Sequence, residues 1–329
     1  MHGIQWKLRG AGAVLALCGL AVAGGAQGSE ANADRSIRLI VAYAAGGQAD
    51  ILARALAEPL GKAMGRTVVV DNRPGAGGII GTRECASARP DGSTLCLGSL
   101  SGLLTAPKQQ EKVPYRTGDF TPVVEIASFP AVLAVNPKLG VTDLDSFVDW
   151  LRKHPGAGFG TSGHGTLYHL VGHQWARQMG LKMEHIPYKG GSLAITDAIA
   201  GHIPIVFDPL TALLPQLRSG ALVGIAHAGT TGGRIEGLDL PPLFGADQET
   251  LRFSAFQGVL GPAGMPAEVV ERLSRAFAEV GRSEDLRRRI TELGGELVFG
   301  TPQAFAKSIE QAEPMVDEML KVAGLLPAR

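Results

Sequence analysis

Three features of the sequence predict an α/β fold. Short apolar runs alternate with helical patterns from end to end, glycine-rich turns follow several of those runs, and 329 residues exceed the needs of one ordinary core. Ile37-Arg38-Leu39-Ile40-Val41 marks a strand over 36–42, and a helix follows over 48–64, which Pro59 should kink or end early. A strand over 67–71 leads through the glycine run Pro74-Gly75-Ala76-Gly77-Gly78 to a helix over 79–88. Asp91-Gly92 is a turn before a buried strand at 94–98. A strand at 132–135, a helix at 143–153, a strand ending in Phe159-Gly160-Thr161-Ser162-Gly163 and a helix at 167–179 come next. The series continues with a helix at 192–200, strands at 203–207 and 221–226, a strand at 256–260, and helices at 266–280 and 303–323. Such alternation implies parallel sheets with helices on both faces and ligands at the carboxyl ends of the strands.

Residues 1–33 read as an export signal. Lys7 and Arg9 form a basic start, Ala11 to Ala23 an apolar run, and Ala31-Asn32-Ala33 an A-x-A cleavage site, with Ala23 and Ala26 as rival ends. Cys18 suggests a lipoprotein, but bulky Leu17 before it fits that processing poorly. No later stretch reaches the ~18 to 20 apolar residues of a membrane span. The mature chain is expected to be periplasmic. Its 29 basic and 30 acidic residues, after removal of Lys7, Arg9 and Glu30, leave no charge footprint for nucleic acid or membrane surfaces. Cys85 and Cys96 form no C-x-x-C motif; they could pair around Arg89-Pro90-Asp91-Gly92 or stay as buried thiols.

The most informative stretch is Val41 to Asp50. A strand, the Gly46-Gly47 turn and a helix start bring unpaired backbone N–H groups and the positive end of a helix dipole to one point. That arrangement suits an anion. The turn lacks the lysine of a phosphate loop and the spacing of a dinucleotide fingerprint, so a carboxylate fits better than a phosphate.

Taken together, several segments resemble the substrate-binding proteins of tripartite tricarboxylate transporters, the Bug-type receptors. They are Arg38-Leu39-Ile40-Val41 with Ala45-Gly46-Gly47 and Asp50, the run Val68 to Gly78, Pro90-Asp91-Gly92-Ser93-Thr94-Leu95, Pro187-Tyr188-Lys189-Gly190, Phe207-Asp208 and Leu260 to Pro266. The resemblance implies a bilobed, periplasmic-binding-protein-like clamp of two α/β lobes joined by two crossing strands. Lobe one would be 34–135 plus 257–329 and lobe two 136–256. It further implies a small carboxylate in the cleft, delivered to a membrane transporter component by a monomer that performs no chemistry and needs no cofactor. Ligand would lie between a first loop matching Ala42 to Asp50 and a second matching Thr161-Ser162-Gly163, its carboxylates held by amides and water. Ala42 replaces the family's usual proline, Gln48 a small residue, and His164 and Tyr168 enlarge the second loop.

The expected ligand-binding residues are Tyr43, Ala45, Gly46, Gly47, Gln48, Asp50, Thr161, Ser162, Gly163 and Asp208. Each has a plainer reading. Asp50 could simply cap its helix, Thr161 and Ser162 could be turn or capping residues, and Asp208 an ordinary strand-end carboxylate. His164, His169 and His173 invite a metal. The intervening Leu170-Val171-Gly172 lacks the glutamate of a zinc protease, so a hydrogen-bonded or solvated histidine face is expected and no metal. Ser162 and His164 are the alternative, a hydrolase pair, but Gly160-Thr161-Ser162-Gly163-His164 fails the G-x-S-x-G elbow. The Pro74 to Gly78 run is best read as a turn that lets strand and helix pack closely.

Overall fold

In the computed structural model, residues 36–188, 190–229, 234–235, 238–244 and 255–327 are described; the expected signal segment lies outside them. The elements run β1 (Ser36–Val41), α1 (Gln48–Met64), β2 (Thr67–Asn72), α2 (Ile79–Ala86), β3 (Thr94–Ser99), β4 (Phe120–Phe129) and β5 (Ala131–Val135). Then come α3 (Leu144–Lys153), β6 (Ala157–Thr161), α4 (Leu167–Gln178), β7 (Met183–Pro187), α5 (Gly191–Ala200), β8 (Ile205–Pro209), α6 (Leu210–Arg218) and β9 (Val223–His227). The short pair β10 (Arg234–Ile235) and β11 (Leu238–Asp239) precedes β12 (Ala255–Pro262), α7 (Ala267–Val280), α8 (Glu284–Glu292), β13 (Glu296–Leu297) and α9 (Pro302–Val322). A π-helical turn, Ser101–Thr105, leads away from β3.

The strands form a six-stranded sheet ordered β13-β4-β12-β3-β1-β2 and a five-stranded sheet ordered β7-β6-β8-β5-β9. Neither is wholly parallel, which corrects the expectation from alternation. β12 enters from a distant segment and lies antiparallel to both β3 and β4, while β5 lies antiparallel to β8 and β9. Parallel pairs include β1 with β3, and β6 with β7 and β8. Their carboxyl ends carry the two loops singled out above. The chain changes sheet at Pro130, between β4 and β5.

Helix α1 has the expected range and continues through Pro59 to Met64, so the proline does not end it early. An internal proline costs about 3 kcal/mol. Leu52, Leu56 and Leu60 are fully buried on both sides of it, each contributing about 1.5 to 3 kcal/mol, so packing wins. The helix ends at Gly65, whose left-handed φ of 63° and N–H to the Lys62 carbonyl close it. From Ile37 onward the chain forms one unit. A single apolar cluster joins Ile40, Leu104 and Phe120 near the first sheet to Phe147, Trp175 and Phe207 around the second, with Phe256, Phe305 and Val316 from the C-terminal part.

Cys85 on α2 and Cys96 on β3 form a disulfide with Cα atoms 6.0 Å apart, resolving the choice the sequence left open. It closes a short loop, for which the entropic account gives on the order of 2 to 3 kcal/mol. Replacing both cysteines with serine should therefore lower the urea midpoint, as measured by circular dichroism.

Candidate functional site

The first loop is fixed from below. Tyr43 Oη lies 2.7 Å from Ser99 Oγ, and the Asn72 amide donates to the Tyr43 carbonyl at 3.1 Å. The glycine run after β2 makes room for this ring. Gly78 adopts φ 99°, and a Cβ there would fall 3.0 Å from the phenol oxygen. Ala44 to Gly47 are exposed above it, and Gly47 caps α1 without a side-chain bond. Because the first intrahelical bond is Ile51 N–H to the Gly47 carbonyl, the amides of Gln48, Ala49 and Asp50 have no acceptor within the helix.

Asp50 is nearly fully buried and already engaged. Its Oδ2 accepts from Gly46 N–H at 2.9 Å and from Arg54 Nε at 3.0 Å, while Oδ1 is buried without a hydrogen-bond partner. The Arg54 guanidinium and then the Gly46 amide hold this carboxyl down to about 2, so it is ionised throughout the physiological range. It ties the turn to the helix, and the Gly46 amide is thereby committed within the protein. Nε2 of the neighbouring Gln48 is also buried without a partner.

The second loop follows β6. Thr161 is fully buried; its hydroxyl donates to the Gly163 carbonyl at 3.0 Å and meets His185 Nε2 at 2.7 Å. Neither Thr161 nor Ser162 caps α4. Thr166 does so, accepting from His169 N–H, and its hydroxyl also donates to the Gly163 carbonyl at 2.8 Å. Gln109, beyond the π-helical turn, reaches this loop from the first sheet's side and donates to the Gly165 carbonyl at 3.2 Å.

Asp208 stands at the carboxyl end of β8, 1 % exposed, with Ser162 as its hydrogen-bonding neighbour and Oδ2 unpartnered. Burial pushes its carboxyl up to about 7, against the opposing pull of the Ser162 hydroxyl. Its Oδ2 presses so close to the start of α5 that a Cβ on Gly191 would lie 1.9 Å away. Burial, and then the neighbouring Asp208 and Tyr43 groups, push the Tyr168 phenol up, so it stays protonated.

Behind the second loop the histidines gather, and the grouping differs from the sequence reading. His169 and His173 are 6.1 Å apart edge to face, but His169 is buried, stacks on His185 at 3.7 Å and is hydrogen-bonded, so of the two readings the hydrogen-bonded face holds and the solvated one does not. His164 lies 5.1 Å from His169 and 6.0 Å from His185. Gly165 N–H donates to His169 Nδ1 at 3.1 Å. Burial first, then the other imidazoles, lowers His169 to about 3 and His185 to about 4. Sequence reasoning missed His185, Ser99, Gln109 and the positioning role of Gly78. Only His185 had a local signal, two residues before the Pro187-Tyr188 landmark.

The sequence profile described as tripartite tricarboxylate transporter family receptor matches residues 52–325. The chain belongs to this family. It is 32% identical over 294 residues to a UPF0065 protein of Bordetella bronchiseptica, covering 89% of this chain and 87% of that one. It is 30% identical over 296 residues to BugT of Bordetella pertussis, covering 88% and 90%. Among solved structures, periplasmic binding protein BugD superposes with TM-score 0.73 at 28% identity over 89% of this chain and 99% of its own. The R. palustris protein Rpa4515, solved with adipate, gives 0.75 at 28% identity, also over 89% and 99%. These relatives are substrate-binding receptors rather than enzymes, and the Ser162–His164 hydrolase reading gains no support. The profile match begins just after Asp50, so the family assignment does not rest on the first loop.

Asp208 gives a pH test. Its folded value of about 7 lies above the unfolded value of 3.8, so its contribution is most favourable below about pH 4 and is lost as pH rises towards 7. Relative to Asp208→Asn, which cannot ionise, the parent protein should lose on the order of 1 to 3 kcal/mol of urea stability between pH 5 and pH 8, since the opposing contribution of the buried histidines is common to both proteins. Equal pH slopes for the two proteins would show that Asp208 is ionised in the folded state already at pH 5.

Proposed function

We propose that this chain is an exported receptor that captures a small carboxylate between the loop over 42–50 and the loop over 161–163 and hands it to a membrane transporter component. The observation that carries the reading is the exposed Ala44–Gly47 turn on the start of α1, beside which the amides of Gln48, Ala49 and Asp50 lack a helical acceptor and offer an anion site without an arginine. Membership of a transporter-receptor family supports delivery to a membrane partner, and the relative solved with adipate supports a carboxylate ligand. Tyr43, Ala45, Gly46, Gly47 and Gln48 would line one side, and Thr161, Ser162, Gly163 and Asp208 the other. Asp50, already held by Gly46 and Arg54, would shape the first loop and reach ligand only through Oδ1.

The two-lobe division, 34–135 plus 257–329 against 136–256, belongs to the same proposal. Segregation of the strands into two sheets supports it, and the change of sheet favours moving the first boundary to Pro130. On this reading the receptor is a monomer that closes on its ligand. A calorimetric screen of mono- and dicarboxylates that includes adipate should yield a binder with one-to-one stoichiometry, and small-angle scattering should show a smaller radius of gyration at saturation. Binding of a neutral sugar with no carboxylate binder would sink the ligand class, and an unchanged radius would count against closure. For localisation, the intact mass of the secreted protein should correspond to a chain beginning at Asp34. A mass carrying diacylglycerol on Cys18 would replace a freely periplasmic protein with an anchored one.

A further inference from the structure

We infer that His164, His169 and His185 form a site for a divalent transition-metal ion of the zinc, cobalt or nickel class. Their ligating nitrogens all lie within 4.8 Å of one another. The sequence alone argued against a metal because Leu170-Val171-Gly172, between His169 and His173, lacks the glutamate of a zinc protease. The fold adds a further imidazole from β7, His185, which lies beside Phe159 of β6 and stacks on His169.

Two plainer accounts leave the cluster unexplained. Buried histidines are often held as cations by a carboxylate, but His169 accepts from Gly165 N–H and His185 meets the Thr161 hydroxyl. Among the described residues, no carboxylate is hydrogen-bonded or ion-paired to any of the three; His202 is so paired, with Asp197. Aromatic stacking explains His169 on His185, yet not the exposed His164 turned towards both. Neutral imidazoles brought together without a carboxylate partner are the donor set that zinc, cobalt and nickel select, whereas calcium and magnesium require oxygen.

The outer contacts define what must move. The Thr161 hydroxyl donates to the Gly163 carbonyl, so it receives the Nε2 proton of His185 and leaves Nδ1 of that ring with its lone pair. His164 is exposed and carries no such restraint. His169 accepts from Gly165 N–H at Nδ1, which keeps its own proton on Nε2. Metal binding therefore requires His169 to give up the Gly165 contact. It also requires the stacked pair to open from 3.7 Å towards the 5.1 and 6.0 Å of the other two pairs. Tetrahedral coordination at about 2.0–2.1 Å sets ligating nitrogens roughly 3.3 Å apart. The rearrangement is thus a matter of ring rotations. Three imidazoles would leave a fourth position for water or an anion.

The test is a cobalt(II) titration of tag-free protein without any carboxylate, read by the visible absorption of tetrahedral cobalt and followed by displacement with zinc. A saturable one-to-one spectrum is expected. His164→Ala and His185→Ala should each weaken binding by about tenfold or more. His202→Ala, at an exposed histidine beside Asp197, should leave it unchanged. Because His164 is exposed, its replacement keeps the test valid if the His185 variant misfolds. Absence of a saturable spectrum, or a spectrum that survives His164→Ala undiminished, overturns the site. The readout involves no carboxylate ligand, so either outcome is independent of the transport reading.

Discussion

The passage of the chain through Pro130 is the constraint on which the rest of the molecule depends. β4 is buried along most of its length and β5 throughout, yet they belong to different sheets. Proline has no N–H to extend the β4 ladder, so pairing stops there. Its carbonyl instead accepts from Leu210 N–H at 3.1 Å, and the next residue's carbonyl accepts from Ala228 N–H at 2.8 Å, which locks the chain into the second sheet. A slip of one residue would exchange Ala131, Leu133 and Val135 of β5 with Val132 and Ala134 between the two apolar clusters they fill. The passage therefore fixes both registers, and with them the positions of the loops after β1 and β6.

Much of this architecture was legible in the sequence, because the strands of both sheet centres are apolar runs bounded by turn residues. The α1 range and the turn at Gly46-Gly47 could be read directly, since Leu52, Leu56 and Leu60 repeat at helical spacing. β4 was not legible. Pro122 and Glu125 interrupt its run, and pairing with the long antiparallel β12 along its length, with β13 on its other edge, makes Phe120 to Phe129 a strand. The direction of β12 and β5 was hidden for a related reason: alternation of elements says nothing about which distant strand a returning segment will join.

The candidate site was half legible. Residue type and local spacing placed Tyr43, Gly46, Gly47, Ser162 and Asp208 at the ends of strands, where the structure has them. What each side chain does there depends on partners far along the chain. Asp50 and Asp208 show the difference. Both are almost fully buried aspartates beside a helix start, yet one is held down to about 2 and the other pushed up to about 7. Arg54 lies one helical turn from Asp50, so its ion pair could be read from spacing alone. Asp208 has only the Ser162 hydroxyl against its burial, and that neighbour arrives from another strand.

That contrast bears on how an anion would be held. Arg54, the cation next to the first loop, is paired with Asp50, and their formal charges cancel. On the proposed reading, attraction for a carboxylate at this turn must then come from the oriented amides of Gln48, Ala49 and Asp50 rather than from a guanidinium. Amide dipoles act over a short range and demand close approach, which the small side chains of Ala44, Ala45, Gly46 and Gly47 permit. They also leave the ligand's far end to be chosen by the opposite wall, where Ser162, Tyr168 and the protonatable Asp208 lie. Selectivity among carboxylates would accordingly reside in the second loop, and affinity for the carboxylate itself in the first.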